Sequence, residues 1–170
     1  MRYKIIRDQF YKNSSPLRKR KTVRGLIIND NKIALLHIKC TEPDFGYRNH
    51  LETPGGGIED NEDPISALKR ELLEETGFEV KDIEYLTTIG VEYKAINRLD
   101  VGKFYSCKLA KDTHTTHLMD YEKELFSSLK WYDLDKIDEI YKQFNNDRVN
   151  LLVHTRDLYA IHLYKKKTAK

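Results

Sequence analysis

The sequence predicts an α/β fold in which a mixed β-sheet carries helices on both faces. Apolar runs of strand length recur along the chain, they interleave with three segments of helical period, and 170 residues suit one domain with a real core. A composition of 39% hydrophobic and 34% charged residues places the chain among ordinary soluble proteins. The expected organisation is a single domain over residues 1–170. Its core spans about 20–164, between a basic N-terminal segment, 1–21, and a basic tail, 165–170.

The opening MRYKIIRDQFYKN scatters charge and has no apolar h-region, and no apolar run is long enough to span a bilayer. A cytoplasmic protein without a membrane partner is expected. The net charge of +3 conceals an asymmetry: residues 1–24 hold nine Lys/Arg against one Asp, and Lys165, Lys166, Lys167 and Lys170 add four cations, leaving about −9 on the middle. Basic ends can attract a polyphosphate or nucleic acid, but terminal charge runs are more often solvated, and solvation is favoured here.

Residues 22–28 and 33–38 are apolar runs around an Asn/Asp turn, which predicts a β-hairpin. His37 within it reads as an ordinary strand histidine outside any site. Residues 41–50, with Pro43, Asp44 and Gly46, read as irregular. They are placed to form a lip over a site, with Tyr47 or Arg48 touching a substrate base or phosphate, and ordinary loop packing is the equal alternative.

The most informative stretch is PGGGIEDNEDPISALKRELLEETGF, residues 54–78. Asp63 suits an N-cap, Pro64 the first helical position and Gly77 the position past the C-terminus, so a helix over 64–76 is predicted. Ile65, Leu68 and Leu72 form its core stripe, and Glu71, Glu74 and Glu75 share the adjoining face. Like charges at these spacings, at the helix end where the dipole disfavours anions, cost some tenths of a kcal/mol to about 1 kcal/mol each. Arg70 and Lys69 offset only part. Local rules are broken mainly at functional sites, and three grouped carboxylates are hard oxygen ligands for Mg²⁺ or Mn²⁺. A solvated acidic face is the commoner reading of a Glu-rich run in general.

Further on, residues 80–91 and 101–109 read as strands joined by a loop over 92–100, and 129–132 as another strand with Trp131 in the core. Ile137, Ile140, Tyr141 and Phe144 predict a helix capped by Asp135. Leu151, Leu152, Thr155, Leu158, Tyr159, His162 and Leu163 predict the buried stripe of a final helix. Cys40 and Cys107 are too few and too far apart for a zinc site and are expected to be buried free thiols.

Gly56, five residues, Glu62, seven residues, then Arg70-Glu71-Leu72-Leu73-Glu74-Glu75-Thr76-Gly77-Phe78 resembles the complete Nudix box. Seven fixed identities match by chance about once in 10⁷ to 10⁹ start points. The flanking Thr53-Pro54-Gly55 and Gly57-Ile58-Glu59 resemble the family too, while Phe78 departs softly from its usual aliphatic residue. The resemblance implies an α/β/α sandwich with a mixed β-sheet and a catalytic loop-helix-loop. It also implies Mg²⁺-dependent hydrolysis of a pyrophosphate bond in a nucleoside diphosphate linked to another group. By position, Glu74 and Glu75 would be the principal metal ligands, Glu71 a further ligand or the base, and the Gly55 carbonyl part of the inner shell. Arg70 would orient the glutamates, Glu62 would hold the loop, and Gly56 and Gly77 are structural. Many members add a later carboxylate, for which Glu122 and Glu124 are the candidates.

For the substrate, the absence of proline after Pro64 counts against ADP-ribose, and Tyr93 lies roughly where dinucleoside polyphosphate members often carry a tyrosine. A nucleoside triphosphate or related nucleotide leads. RNA 5′-end pyrophosphate removal or decapping is the second enzymatic reading, a non-catalytic nucleotide sensor ranks lowest, and a homodimer is compatible with all of them.

Overall fold

The computed structural model describes residues 3–12, 15–118, 126–144 and 147–169, so Glu122 and Glu124 lie outside the described residues. Strands β1 (Tyr3–Ile6), β2 (Arg18–Asn29), β3 (Lys32–Glu42) and β4 (Gly46–Glu52) precede helix α1 (Pro64–Thr76). Strands β5 (Phe78–Tyr93), β6 (Arg98–Asp112) and β7 (Phe126–Asp133) and helices α2 (Ile137–Tyr141) and α3 (Arg148–Thr168) follow. One sheet results, ordered β1-β5-β6-β2-β3-β4, with β7 added to β3. It is mixed, because β1 with β5 and β2 with β6 run parallel while the other pairs are antiparallel.

The expected hairpin turns at Asp30 and Asn31, both with positive φ, as a tight turn between twisted strands requires. Beyond Ile28↔Ile33 the strands part, and β3 goes on to pair with β4 and β7. That parting leaves one edge of β2 free for another segment. Helix α1 covers one face of the sheet, burying Ala67, Leu68 and Leu72 against Val23, Ile27, Ala34, Tyr105 and Cys107. Gly25 sets the approach, since a Cβ there would lie 2.8 Å from Leu72 Cδ1. Phe78 stacks on Trp131, with centroids 5.6 Å apart, so the aromatic departure fills a core position. Helices α2 and α3 cover the other face around Leu26, Leu35, Leu51, Ile89 and Phe104.

Three expectations change in the strands and their connections. Residues 41–50 are a second hairpin, not an irregular lip, with Cys40 opposite Arg48 and Glu42 opposite Gly46. Polar side chains hid it: Arg48 pairs with Glu42 at 2.7 Å and His37 bonds Asn49 at 2.8 Å, so polar residues sit in a strand without penalty. The loop expected over 92–100 shrinks to a 3₁₀ turn, Lys94–Ile96, tied to Asp8 through the Lys94 amide. Cys40 is half-buried, and Cys107 is buried as expected.

The closing helices also differ. Helix α2 ends at Tyr141, and Asp135 accepts from Asn31 instead of capping it. The stripe on α3 is rotated: Leu151 is exposed, whereas Val149, Asn150, Leu152, Val153, Arg156, Asp157, Ala160 and Ile161 are buried. The reason is the edge of β4. Its Asn49 amide donates to Asn150 Oδ1 (3.1 Å) and the Thr53 amide to Asp157 Oδ2 (2.7 Å), so α3 turns polar side chains inward to satisfy backbone donors.

His154 sits on that face, 4.8 Å from the Tyr141 ring and 6.0 Å from His50. Burial pushes its pKa down to about 3, helped by His50 and Arg156. An unfolded chain gains a proton near pH 6.5 that the folded chain refuses until about pH 3, so the neutral ring's contribution is complete above about 6.5 and is lost as pH falls. Urea melts should show stability falling by up to about 1.4 kcal/mol per unit between about pH 6 and 5. His154→Gln should flatten that slope, and an unchanged slope would remove His154 as its source.

Candidate active site

The free edge of β2 is taken by the glycine-rich loop. The Gly25 amide donates to Pro54 O (2.9 Å), Val23 to Gly56 O (2.9 Å), and Ile58 to Lys21 O (3.1 Å). Gly55 has φ +134°, and a Cβ there would lie 2.2 Å from Val23 O, so only glycine follows this path. The loop leads into α1, where Asp63 accepts from the Ile65 and Ser66 amides and Gly77 closes the helix at φ 72° by donating to Leu73 O. All three signals at the helix ends act as the sequence predicts.

Arg70 is the hub. Its Nε and Nη2 donate to the two oxygens of Glu62 (2.9 and 2.8 Å), and Nη2 also reaches Gly57 O (3.0 Å). Its Nη1 donates to Glu71 Oε1 (2.9 Å) and more weakly to Glu74 Oε2 (3.4 Å). Hydrogen bonds from Arg70 and from the Glu59 amide hold the Glu62 carboxyl below its usual range. Glu71 lies against Gly56, where a Cβ would fall 2.3 Å from Oε2. Burial, opposed by Arg70 and reinforced by Glu74, raises its pKa.

Glu75 is buried and accepts the Gly55 amide at 2.6 Å. Burial raises it well above the carboxylate range, and Arg24 offsets this only in part. The Glu74 side chain is the most exposed of the three, at 37%. Sequence reasoning therefore grouped Glu71, Glu74 and Glu75 correctly on the helix. Among the described residues, however, no three acidic, histidine or cysteine side chains already enclose a cation position. Arg70 and the Gly55 amide occupy the oxygens instead.

Residues that the sequence reading passed over complete this region. Arg24 donates to Thr53 O at 2.6 Å and stands 3.3 Å from Glu52 Oε1. Burial alone would raise the Glu52 carboxyl, but Arg24, His50 and Arg156 hold it well below the usual range. Arg156 Nε donates to Asp157 Oδ1 at 2.6 Å, and Asp157 holds the Thr53 amide. The available signal was a charge inside each apolar run: Arg24 between Val23 and Leu26, Glu52 after Leu51, and Arg156-Asp157 within the last helix.

Tyr47 separates from Arg48 and Tyr93, which meet through Phe45. Arg48 lies over the Phe45 ring (5.9 Å), Phe45 meets Tyr93 edge-on (6.1 Å), and Arg98 covers Tyr93 (5.5 Å). Tyr93 is buried within this stack, and Tyr47 is exposed at 49% outside it. Replacing Arg24 by Gln leaves the buried Glu52 charge with Arg156 and His50 alone. Denaturant melts at neutral pH should show a loss of about 3 kcal/mol. A loss below about 1 kcal/mol would mean that Arg24 does not hold the network together.

A family model described as NUDIX domain matches residues 18–152. An RNA pyrophosphohydrolase of Pasteurella multocida is 25% identical, over 85% of this chain and 87% of its own. One from Bartonella henselae is also 25% identical, over 62% of this chain and 69% of its own. Among solved structures, a NUDIX hydrolase from Nitrosomonas europaea superposes with a TM-score of 0.67 at 21% identity, covering 88% of this chain and 90% of that one. A MutT NUDIX hydrolase from Burkholderia pseudomallei gives 0.58 at 20% identity, covering 69% and 85%. With the box folded around Arg70 and the family model spanning most of its length, the chain belongs to the Nudix hydrolase family.

Proposed function

We propose that this pyrophosphohydrolase cleaves the pyrophosphate linkage at the 5′ end of a nucleotide, assisted by a divalent cation. The observation that carries the reading is the group of carboxylates on α1, two of them with raised pKa, held beside a glycine loop by Arg70 at Glu71 and by the Gly55 amide at Glu75. Buried carboxylates with raised pKa are sites where a cation's charge is worth most.

The residues fit Mg²⁺ or Mn²⁺ in chemistry, since all are hard oxygen donors. Glu74 and Glu75 would hold the ion with the Gly55 carbonyl, and Glu71 would be a further ligand or the base. That carbonyl makes no hydrogen bond among the described residues, while its neighbours on Pro54 and Gly56 are spent on β2. Bound there, the cation supplies neutralisation of phosphate oxygens and acidification of the attacking water. Glu71, whose burial favours its protonated form, suits the acceptor of that water's proton. Arg70 keeps the carboxylates apart and aimed by charge-assisted hydrogen bonds, and Glu62 locks Arg70 from the solvent side.

A free nucleoside triphosphate and a triphosphorylated RNA 5′ end present the same linkage. The names of the two relatives favour the RNA form. Glu122 and Glu124 stay candidates for an assisting carboxylate.

Glu75→Gln keeps an acceptor for the Gly55 amide and removes a charge that burial already opposes. Its melting temperature without metal should equal or exceed that of the parent, its turnover of a nucleotide panel should fall at least about 100-fold, and Mg²⁺ should no longer raise its melting temperature. Retained turnover together with retained Mg²⁺ stabilisation would sink the site.

A further inference from the structure

Beside the box lies a second feature that the reaction does not use. Lys19, Arg20 and Lys21 of β2 and Lys103 of β6 line a cavity of ≈ 850 Å³ together with the apolar Ile58 and Val101. The parallel register sets Lys21 beside Val101 and Val23 beside Lys103, so Lys19, Lys21 and Lys103 fall on one face of the sheet. Alternate strand positions are spaced about 6.7 Å apart, which makes the cations a row.

What distinguishes these four cations is that they share one cavity and make no ion pair among the described residues. Arg24, Arg48, Arg70, Arg98 and Arg156 each lie within 4.0 Å of a carboxylate. Among the described residues, Lys19, Arg20, Lys21 and Lys103 have no such partner. Neighbouring like charges on one sheet face cost stability, and an anion laid along them removes that cost. The row also connects to the carboxylates. A Cβ on Gly57 would lie 3.1 Å from Arg20 Nη2, and the carbonyl of the same glycine accepts from Arg70 at 3.0 Å.

The chemistry selects the ligand. The charge of a free nucleotide is concentrated in its phosphate chain, which a cation held by the carboxylates would take up. A row of cations leading away from them needs a ligand whose negative charge continues, and the apolar part of the lining suits bases and sugars. Glu59, Asp60 and Glu62 also line the cavity, and phosphates would favour its lysines over these carboxylates. The N-terminus of α1 is not part of the site, because Asp63 already occupies its amides.

We propose that this trough binds the first nucleotides of a single-stranded polynucleotide whose 5′ pyrophosphate is cleaved at the box; this rests on the pyrophosphohydrolase reading. The test is Lys19→Gln/Lys21→Gln/Lys103→Gln in the full chain, with Lys103→Glu as a second variant. Anisotropy of a labelled, 5′-monophosphorylated oligoribonucleotide, without metal and across a salt series, reads binding independently of turnover. Loss of three phosphate contacts should weaken binding at least about tenfold and make the slope of log K against log salt shallower by about 2.

The ratio of kcat/KM on a 5′-triphosphorylated oligoribonucleotide to that on the free nucleoside triphosphate should fall at least about tenfold in parallel. Unchanged anisotropy in both variants, or an equal loss on both substrates, would overturn the trough. Normal binding by the parent without phosphate release from any nucleotide would overturn the pyrophosphohydrolase reading instead.

Discussion

The structure is organised by a shortage of positive charge. Five carboxylates, those of Glu52, Glu62, Glu71, Glu74 and Glu75, are gathered on two segments, with Arg24 and Arg70 as the guanidinium groups nearest them. The fork of Arg70 serves Glu62, Glu71 and Glu74, while Arg24 binds Glu52 and lowers Glu75 only in part. The deficit shows where it is least affordable, in the raised pKa of the two buried helix carboxylates. Glycine makes the crowding sterically feasible. At Gly55 and Gly56 any side chain would strike the β2 backbone or Glu71.

That cluster must be anchored from outside, because a loop of glycines has no side chains to fix it. One anchor is the ladder onto β2, and the other is α3, through Asp157 on the Thr53 amide and Arg156 toward Glu52. Buried ion pairs contribute little net stability compared with apolar packing of equal volume. Here, α3 spends buried surface on charged groups that hold a backbone position two residues before Gly55. Precision at the loop explains that choice better than stability does.

What was legible in the sequence follows from range. The ends of α1 depend on contacts within four residues, and Asp63, Pro64 and Gly77 announced them correctly. The grouping of Glu71, Glu74 and Glu75 depends on the same helical spacing and was readable for the same reason, whereas the role of Arg70 was implied only by the family resemblance. The inward face of α3 was misread because its polar residues answer to amides of Asn49 and Thr53, about a hundred positions away. Strand β4 was missed likewise, since its polar side chains find partners on β3 and α3 that no local pattern displays.

The same distinction separates reaction from substrate. Attack on a pyrophosphate needs carboxylates at fixed helical offsets and a close backbone, which a stretch of 25 residues can encode by itself. The recognition proposed for what lies beyond the pyrophosphate would draw on strands that meet only through sheet pairing, such as Lys21 beside Val101 and Lys103 across from Thr88. Isolated in sequence, each of those lysines reads as solvated. Brought together without a carboxylate partner among the described residues, they form a surplus of positive charge next to a deficit, joined through Gly57. A cation at the carboxylates would relieve the deficit, and a ligand anionic along its length would relieve the surplus. A compact nucleotide would leave the lysines beyond it uncompensated.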